Sequence, residues 1–235
     1  FRRVLFRSVN VALHAIGADL GAGAGIAWVA TAYLLAVCAA QPLTGWLADR
    51  FGRRRVYLTA LAGFISASAG CALSPTLGVL IACRAMQGLA GGCLTPTGTA
   101  IVVETFPKER LGRAMAVVTM ALMMTPAIGP TVGGFLVTAV SWHWLFLINL
   151  PFGLIGLAAG IKLLPEVGHR ERRPFDLAGL VLGSGGLTLA MLGVSEGNRW
   201  GWSSQGTAIA PTVGVSSLVL FVVHELRTPH PMLEL

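Results

Sequence analysis

Arg84 is the one charged residue in the apolar stretch from Leu77 to about Val103. In a helix rising ~1.5 Å per residue it lies ~11 Å below the end that begins at Leu77. A guanidinium at that depth in hydrocarbon costs roughly 3 kcal/mol on insertion scales, and is normally paired or turned toward a watery cavity. The competing reading is a long side chain that snorkels to the nearer interface. The neighbours favour a functional cation: Gln87 and Gly88 occupy the next turn, and Gly91 and Gly92 leave a smooth face. A second charged cluster, GWLADRFGRRR from Gly45 to Arg55, sets Arg50, Arg53, Arg54 and Arg55 against one acid, Asp49. Gly45 and Gly52 bracket it where a side chain would obstruct close helix approach or an unusual backbone angle. Asp49 stands at a helix end among cations. A third stretch, TPAIGPTVGG from Thr125 to Gly134, is conformational rather than reactive. Pro126 and Pro130 remove backbone donors while Gly129, Gly133 and Gly134 remove bulk, so a bend and close helix packing are expected.

Other reactive side chains form no constellation. An imidazole can carry protons near neutrality, but His143, between Trp142 and Trp144 at a helix junction, reads as a hydrogen-bonding interface residue rather than a proton carrier. Serines, histidines and acids fall in turns and loops far apart, which argues against a hydrolase site. No GxxxxGK[ST] loop occurs, so direct ATP drive is unsupported. The four cysteines lie inside apolar runs without CxxC pairing and read as small hydrophobes, not as a disulfide framework or a metal site. Neither an enzyme nor a cofactor is indicated.

The elements that must position these residues are membrane helices. Of the 235 residues 54% are hydrophobic and 11% charged, against the roughly 25% charge of soluble domains. Apolar runs at about Ile26 to Trp46, Val56 to Leu73, Leu77 to Val103, Arg113 onward, Leu145 to Leu164, Leu177 to Val194 and Thr207 to Val223 approach or exceed the length that crosses a core of about 30 Å. The basic residues sit in the short connections, so the net charge of +7 orients helices rather than binding nucleic acid. The arginine-rich connection after Trp46 is therefore a cytoplasmic loop by the positive-inside bias, and most of the remaining Lys and Arg residues fall on the same side. Trp28, Trp200 and Trp202 suit an outer interfacial belt. Met120, Met123 and Met124 share one helix side and read as packing.

Gly-x-Leu-Ala-Asp-Arg-x-Gly-Arg-Arg resembles the loop between helices 2 and 3 of the major facilitator superfamily of secondary transporters. The string Arg-x-x-Gln-Gly-x-x-Gly-Gly is similar to that family's helix 4 motif, and Gly-Pro-x-x-Gly-Gly resembles the helix 5 motif associated with antiporters. The last two apolar runs, following the short polar segment Glu166 to Asp176, resemble the two additional helices of the fourteen-helix drug:proton antiporter branch. The implied fold is an all-α polytopic membrane protein. Its parts are an N-terminal transporter bundle over 9–164 with helix 1 truncated, then a cytoplasmic loop and two extra helices over 165–235. VNVALHAIGADLG resembles the outer half of helix 1, with His14 where the family usually has Pro. The first eight residues, FRRVLFRS, resemble a translated sequencing adapter and are expected to be a non-native tail.

The resemblance implies proton-coupled efflux of lipophilic drugs or small metabolites by alternating access in the bacterial cytoplasmic membrane, with a role in antibiotic resistance. Small-molecule substrate, protons, lipid and a second bundle of the same protein are the implied partners. Within it, Gly45, Asp49, Arg50, Gly52, Arg53 and Arg54 form a conformational gate. Arg84, Gln87, Gly88 and Gly92 serve proton coupling, Arg84 by tuning a carboxylate on helix 1. Gly129, Pro130, Gly133 and Gly134 form the antiporter motif. The chain alone is expected to be inactive. The alternatives are an exporter dedicated to one endogenous metabolite or a symporter, and more distantly a non-transporting membrane sensor or a membrane hydrolase.

Overall fold

The computed structural model describes residues 12–21, 23–166, 176–201 and 204–228. The expected tail 1–8, the arginines of the 167–175 loop, Trp202, the last residues, and the side chains of Pro126, Pro130 and Trp200 lie outside the described residues. A short helix α1 (12–19) leads through a 3-10 turn, Gly23–Ala27, into α2 (Trp28–Phe51). There follow α3 (Arg53–Ala72), α4 (Leu77–Thr105), α5 (Lys108–Ala139), α6 (Trp144–Leu147), α7 (Asn149–Leu163), α8 (Leu177–Trp200) and α9 (Gln205–Arg227). Among the described residues no strand occurs. Seven helical stretches are long and apolar enough to cross a membrane, and the chain is a multi-pass membrane protein.

Helix boundaries follow local chemistry. The Thr76 hydroxyl caps α4 by accepting from the Val79 N–H, and Ser204 caps α9 by accepting from Thr207. Asp176 caps α8 by accepting from the Gly179 N–H at 2.9 Å, and its other oxygen meets His224 Nε2 on α9 at 2.8 Å. Burial pushes the Asp176 carboxyl up, but the Gly179 N–H and the His224 imidazole more than offset this and hold it below its ordinary value.

Three boundaries differ from the sequence expectation. The stretch Gly45 to Arg55 is not a loop: α2 runs through Phe51 and α3 starts at Arg53, so the break is Gly52 alone. Its φ of 90° lies where L side chains are strained, and one residue thereby reverses the chain. Helix α5 begins at Lys108 rather than near Arg113, because Pro107 supplies the N-cap and the charged residues after it extend the helix beyond the apolar run. The expected span from Leu145 to Leu164 is interrupted between Leu147 and Asn149, giving α6 and α7.

Small residues set the packing. Gly88 and Gly92, one turn apart on α4, lie against the backbone of α2. A Cβ at Gly88 would overlap the Tyr33 carbonyl and stand 2.8 Å from the Ala36 Cβ. One at Gly92 would stand 2.8 Å from the Val37 carbonyl oxygen and 2.9 Å from the Ala40 Cβ. On α7, Gly153 and Gly160 receive Ile65 and Leu58 of α3, while Gly193 of α8 admits the Pro211 ring of α9. The α8–α9 pair rests on α2, where the Ser184 hydroxyl donates to the Ala39 carbonyl at 2.8 Å and the Thr31 hydroxyl to the buried Glu196 carboxylate at 3.1 Å. An apolar cluster of Ile16, Val29, Cys71, Ala72, Leu80, Trp142 and Phe146 joins α1 to α4 and α6 at the end of the bundle where α4 begins. Trp142, expected at the interface, is buried there, its indole N–H donating to Asp19 at 2.9 Å.

Helix α5 contrasts with the rest, since none of its described side chains is buried. Gly129 has nothing within 4 Å of a Cβ position, so the close packing expected of it is not formed among the described residues, and Gly133 meets only the Leu145 side chain at 3.5 Å. Gly88→Ala and Gly92→Ala are therefore expected to destabilise the purified protein by about 1–3 kcal/mol each, in the range of overpacked cores. Gly129→Ala should leave stability unchanged. Thermal unfolding in detergent measures all three, and equal effects at Gly88 and Gly129 would contradict this account of the seam.

Candidate functional site

Arg84 sits at the α2–α4 seam that Gly88 and Gly92 bring to backbone distance. Its Nε donates to the Val29 carbonyl at 3.0 Å and its Nη1 to Gln87 Oε1 at 2.6 Å. The guanidinium lies over the Tyr33 ring at 4.2 Å from the centroid, with the Phe146 ring at 5.8 Å. A cation over an aromatic face out of bulk water gains about 1–2 kcal/mol. The side chain is thus turned inward against α2 and held at its head, which is not the arrangement of a snorkelling arginine. Gln87, 1% exposed, continues the polar contact by donating from Nε2 to Ser68 Oγ of α3 at 2.5 Å, and Asn149 Nδ2 of α7 reaches the same oxygen at 3.4 Å. No carboxylate lies within ion-pair distance of Arg84 among the described residues. A half-buried guanidinium with spare N–H donors can attract an anion and favour the ionised form of an acid brought beside it.

The inner ends of α2 and α3 hold the other cations. Arg50 stacks over Trp46 and Phe51, at 5.4 and 5.8 Å from their centroids. Arg53 Nη1 pairs with Glu104 at the end of α4 at 2.6 Å. Arg54 Nη2 donates to the Ile161 carbonyl of α7 at 2.6 Å, and its Nη1 stands 3.9 Å from Glu166. These arginines tie α3 to its neighbours, and Asp49 makes no ion pair with any described residue. Gly45, Asp49 and Arg50 therefore occupy the last turns of α2, and Arg53 and Arg54 the first turn of α3, separated by Gly52. A groove of about 330 Å³ between the inner halves of α4 and α5 is lined by Tyr57, Thr95, Gly98, Val118 and Leu122 among others. Gly129, Gly133 and Gly134 lie further along α5 and do not line this groove.

Sequence reasoning singled out Arg84, Gln87, Gly88 and Gly92, and the structure brings these four together. It missed Val29, Tyr33, Ser68 and Asn149 around them, and Glu104 and Ile161 around the arginines. Of these only Glu104 carried a signal, as an acid at the inner end of an apolar run that faces a basic helix start.

The family profile described as Major Facilitator Superfamily matches residues 3–224. The chain belongs to that superfamily. It is 38% identical over 230 residues to a protein of Mycobacterium tuberculosis named multidrug resistance protein B homolog, covering 97% of this chain and 43% of that one. It is 39% identical over 217 residues to an Escherichia coli protein that carries the provisional name multidrug resistance protein MdtD, covering 92% of this chain and 46% of that one. The chain thus spans about half the length of these curated relatives. The superfamily is one of membrane transporters, and the helical bundle and its inward-turned arginine fit that membership.

Proposed function

We propose that the full-length protein is a proton-coupled exporter of lipophilic drugs or small metabolites, of the fourteen-helix antiporter branch, working by alternating access in the bacterial cytoplasmic membrane. Relatives named for multidrug resistance support the efflux reading. The observation that carries the coupling is Arg84, a fixed cation at membrane depth held by the Val29 carbonyl, Gln87 and Tyr33 with no described carboxylate beside it. Its spare donors suit an acid on the first transmembrane helix, whose proton it helps to release. In this reading residues 9–164 form the amino-terminal bundle, 165–235 the loop and extra helices, and 1–8 a foreign tail. Gly129, Pro130, Gly133 and Gly134 are the antiporter motif on α5. In the full-length protein Arg84→Ala is expected to shift the pH dependence of efflux toward higher pH, because the acid holds its proton longer. A pH profile that does not move refutes Arg84 as the coupling cation.

Asp49 acts as the conformational latch of the gate formed with Gly45, Arg50, Gly52, Arg53 and Arg54. The structure supports this by leaving its carboxylate without an ion pair while Arg53 and Arg54 are engaged elsewhere, so it is available to change partners when the bundles rock. Asp49→Asn is expected to lower transport several-fold while membrane abundance stays near wild type, and undiminished transport per molecule would dispose of the latch.

The 235-residue chain alone inserts but does not couple transport. Alternating access needs two bundles moving about a shared midplane site, and the relatives are about twice its length. Reconstituted in liposomes with an imposed pH gradient and offered lipophilic dyes, it is expected to match empty liposomes. Gradient-driven dye movement above that background contradicts the claim.

A further inference from the structure

Ser68 and Asn149 lie on different helices, α3 and α7, and belong to none of the motifs identified in the sequence. Together with Gln87 they form a hydrogen-bonded line that ends on Arg84. The line has a fixed direction. Arginine carries only donors, so Arg84 Nη1 claims Oε1 of Gln87, and the amide nitrogen of Gln87 is forced to point the other way. There it needs an acceptor, and Ser68 Oγ provides one in a place with no solvent, Ser68 being 0% and Gln87 1% exposed. Asn149 donates to the same oxygen from the first residue of α7, just after the break that separates α6 from α7.

Without the Ser68 oxygen, the Gln87 amide nitrogen would be buried without the acceptor it shares with the Asn149 amide nitrogen. A rotation that relieves this turns the N–H groups of Gln87 toward those of Arg84, donor against donor. In that rotated state the guanidinium loses its Nη1 anchor and keeps only the Nε bond to Val29. We propose that Ser68 and Asn149 are positioning residues for Arg84: through Gln87 they fix how the guanidinium is presented to the acid that carries the proton, and they bring α3 and α7 into the coupling step. This rests on the reading of Arg84 as the coupling cation.

Among the described residues, Asp19 and His143 contact Trp142, one ring removed from the Phe146 beside Arg84, and the groups nearer the line are these. Arg84 is itself on α4, Tyr33 lies under it on α2, and the thiols of Cys71 on α3 and Cys83 on α4 are its neighbours. On α6 only the Phe146 ring approaches, and on α7 the one titratable residue, Lys162, is at the opposite end. Tyrosine and cysteine ordinarily titrate well above neutrality, so a change in the transport profile between about pH 5 and 8 reports the coupling acid.

The test measures efflux against pH in the full-length transporter for wild type, Arg84→Ala, Ser68→Ala, Asn149→Ala and Ile65→Ala. Ile65 packs on Gly153 across the same α3–α7 seam and takes no part in the line, so its variant reports general loosening. Ser68→Ala should move the midpoint to higher pH, as Arg84→Ala does, by about half a unit, roughly threefold in proton affinity. Asn149→Ala should move it less, in the same direction, and Ile65→Ala should lower the amount of protein without moving it. If Ser68→Ala does not reach the membrane, the half-buried Asn149 is judged by the same criterion. An unmoved midpoint in both, with Arg84→Ala shifted, overturns this proposal and leaves the role of Arg84 intact. An equal shift in Ile65→Ala also overturns it. An unmoved Arg84→Ala overturns both.

Discussion

Two helices can meet at backbone distance only where neither brings a side chain to the contact, and the bundle depends on one such contact, between α2 and α4. Gly88 and Gly92 lie against the carbonyls of Tyr33 and Val37, and Ala36 and Ala40 are the facing small residues on α2. Lipid tails are as apolar as the side chains they would replace, so the gain comes from close dispersion contact rather than from expelled water. That separation is also what lets Arg84 reach the Val29 carbonyl across the seam while its plane rests on Tyr33. The packing of the helices and the placement of the charge have a single origin.

The two ends of the bundle solve different electrostatic problems. Toward the outer end a cation is satisfied by a carbonyl, an amide and aromatic faces, all neutral groups, so its charge remains uncompensated locally. At the other end Arg53 is compensated by Glu104, while Arg54 donates to the Ile161 carbonyl with the Glu166 carboxylate 3.9 Å away, and these bonds fasten α3 to α4 and α7. The Arg53–Glu104 pair is partly exposed, with 26% and 30% of the side chains accessible, so it contributes at most about 1 kcal/mol and guides geometry more than stability.

The membrane-length helices were legible in the sequence because uninterrupted apolar runs are a signal that survives without knowledge of partners. The i, i+4 glycines after Arg84 were legible for the same reason. Boundaries were less so. Arg53, Arg54 and Arg55 read as loop residues by charge, yet they form the first turn of α3 because a single positive-φ glycine makes the reversal. The polar line was not legible at all: Ser68 is 19 residues from Gln87 and 81 from Asn149, and an isolated serine in an apolar run has no pattern to betray it. On α5 the spacing of Gly129 predicted tight packing that the described residues do not provide, since a glycine permits an approach without supplying the neighbour.

The contact between Thr31 and Glu196 spans 165 residues of chain. A ribosome feeding this protein into a membrane delivers α2 long before α8 exists, and α8 then arrives with a carboxylate that hydrocarbon penalises. The Thr31 hydroxyl is thus made well before the carboxylate that accepts from it, and in the folded chain it gives that buried acid a donor from a neighbouring helix.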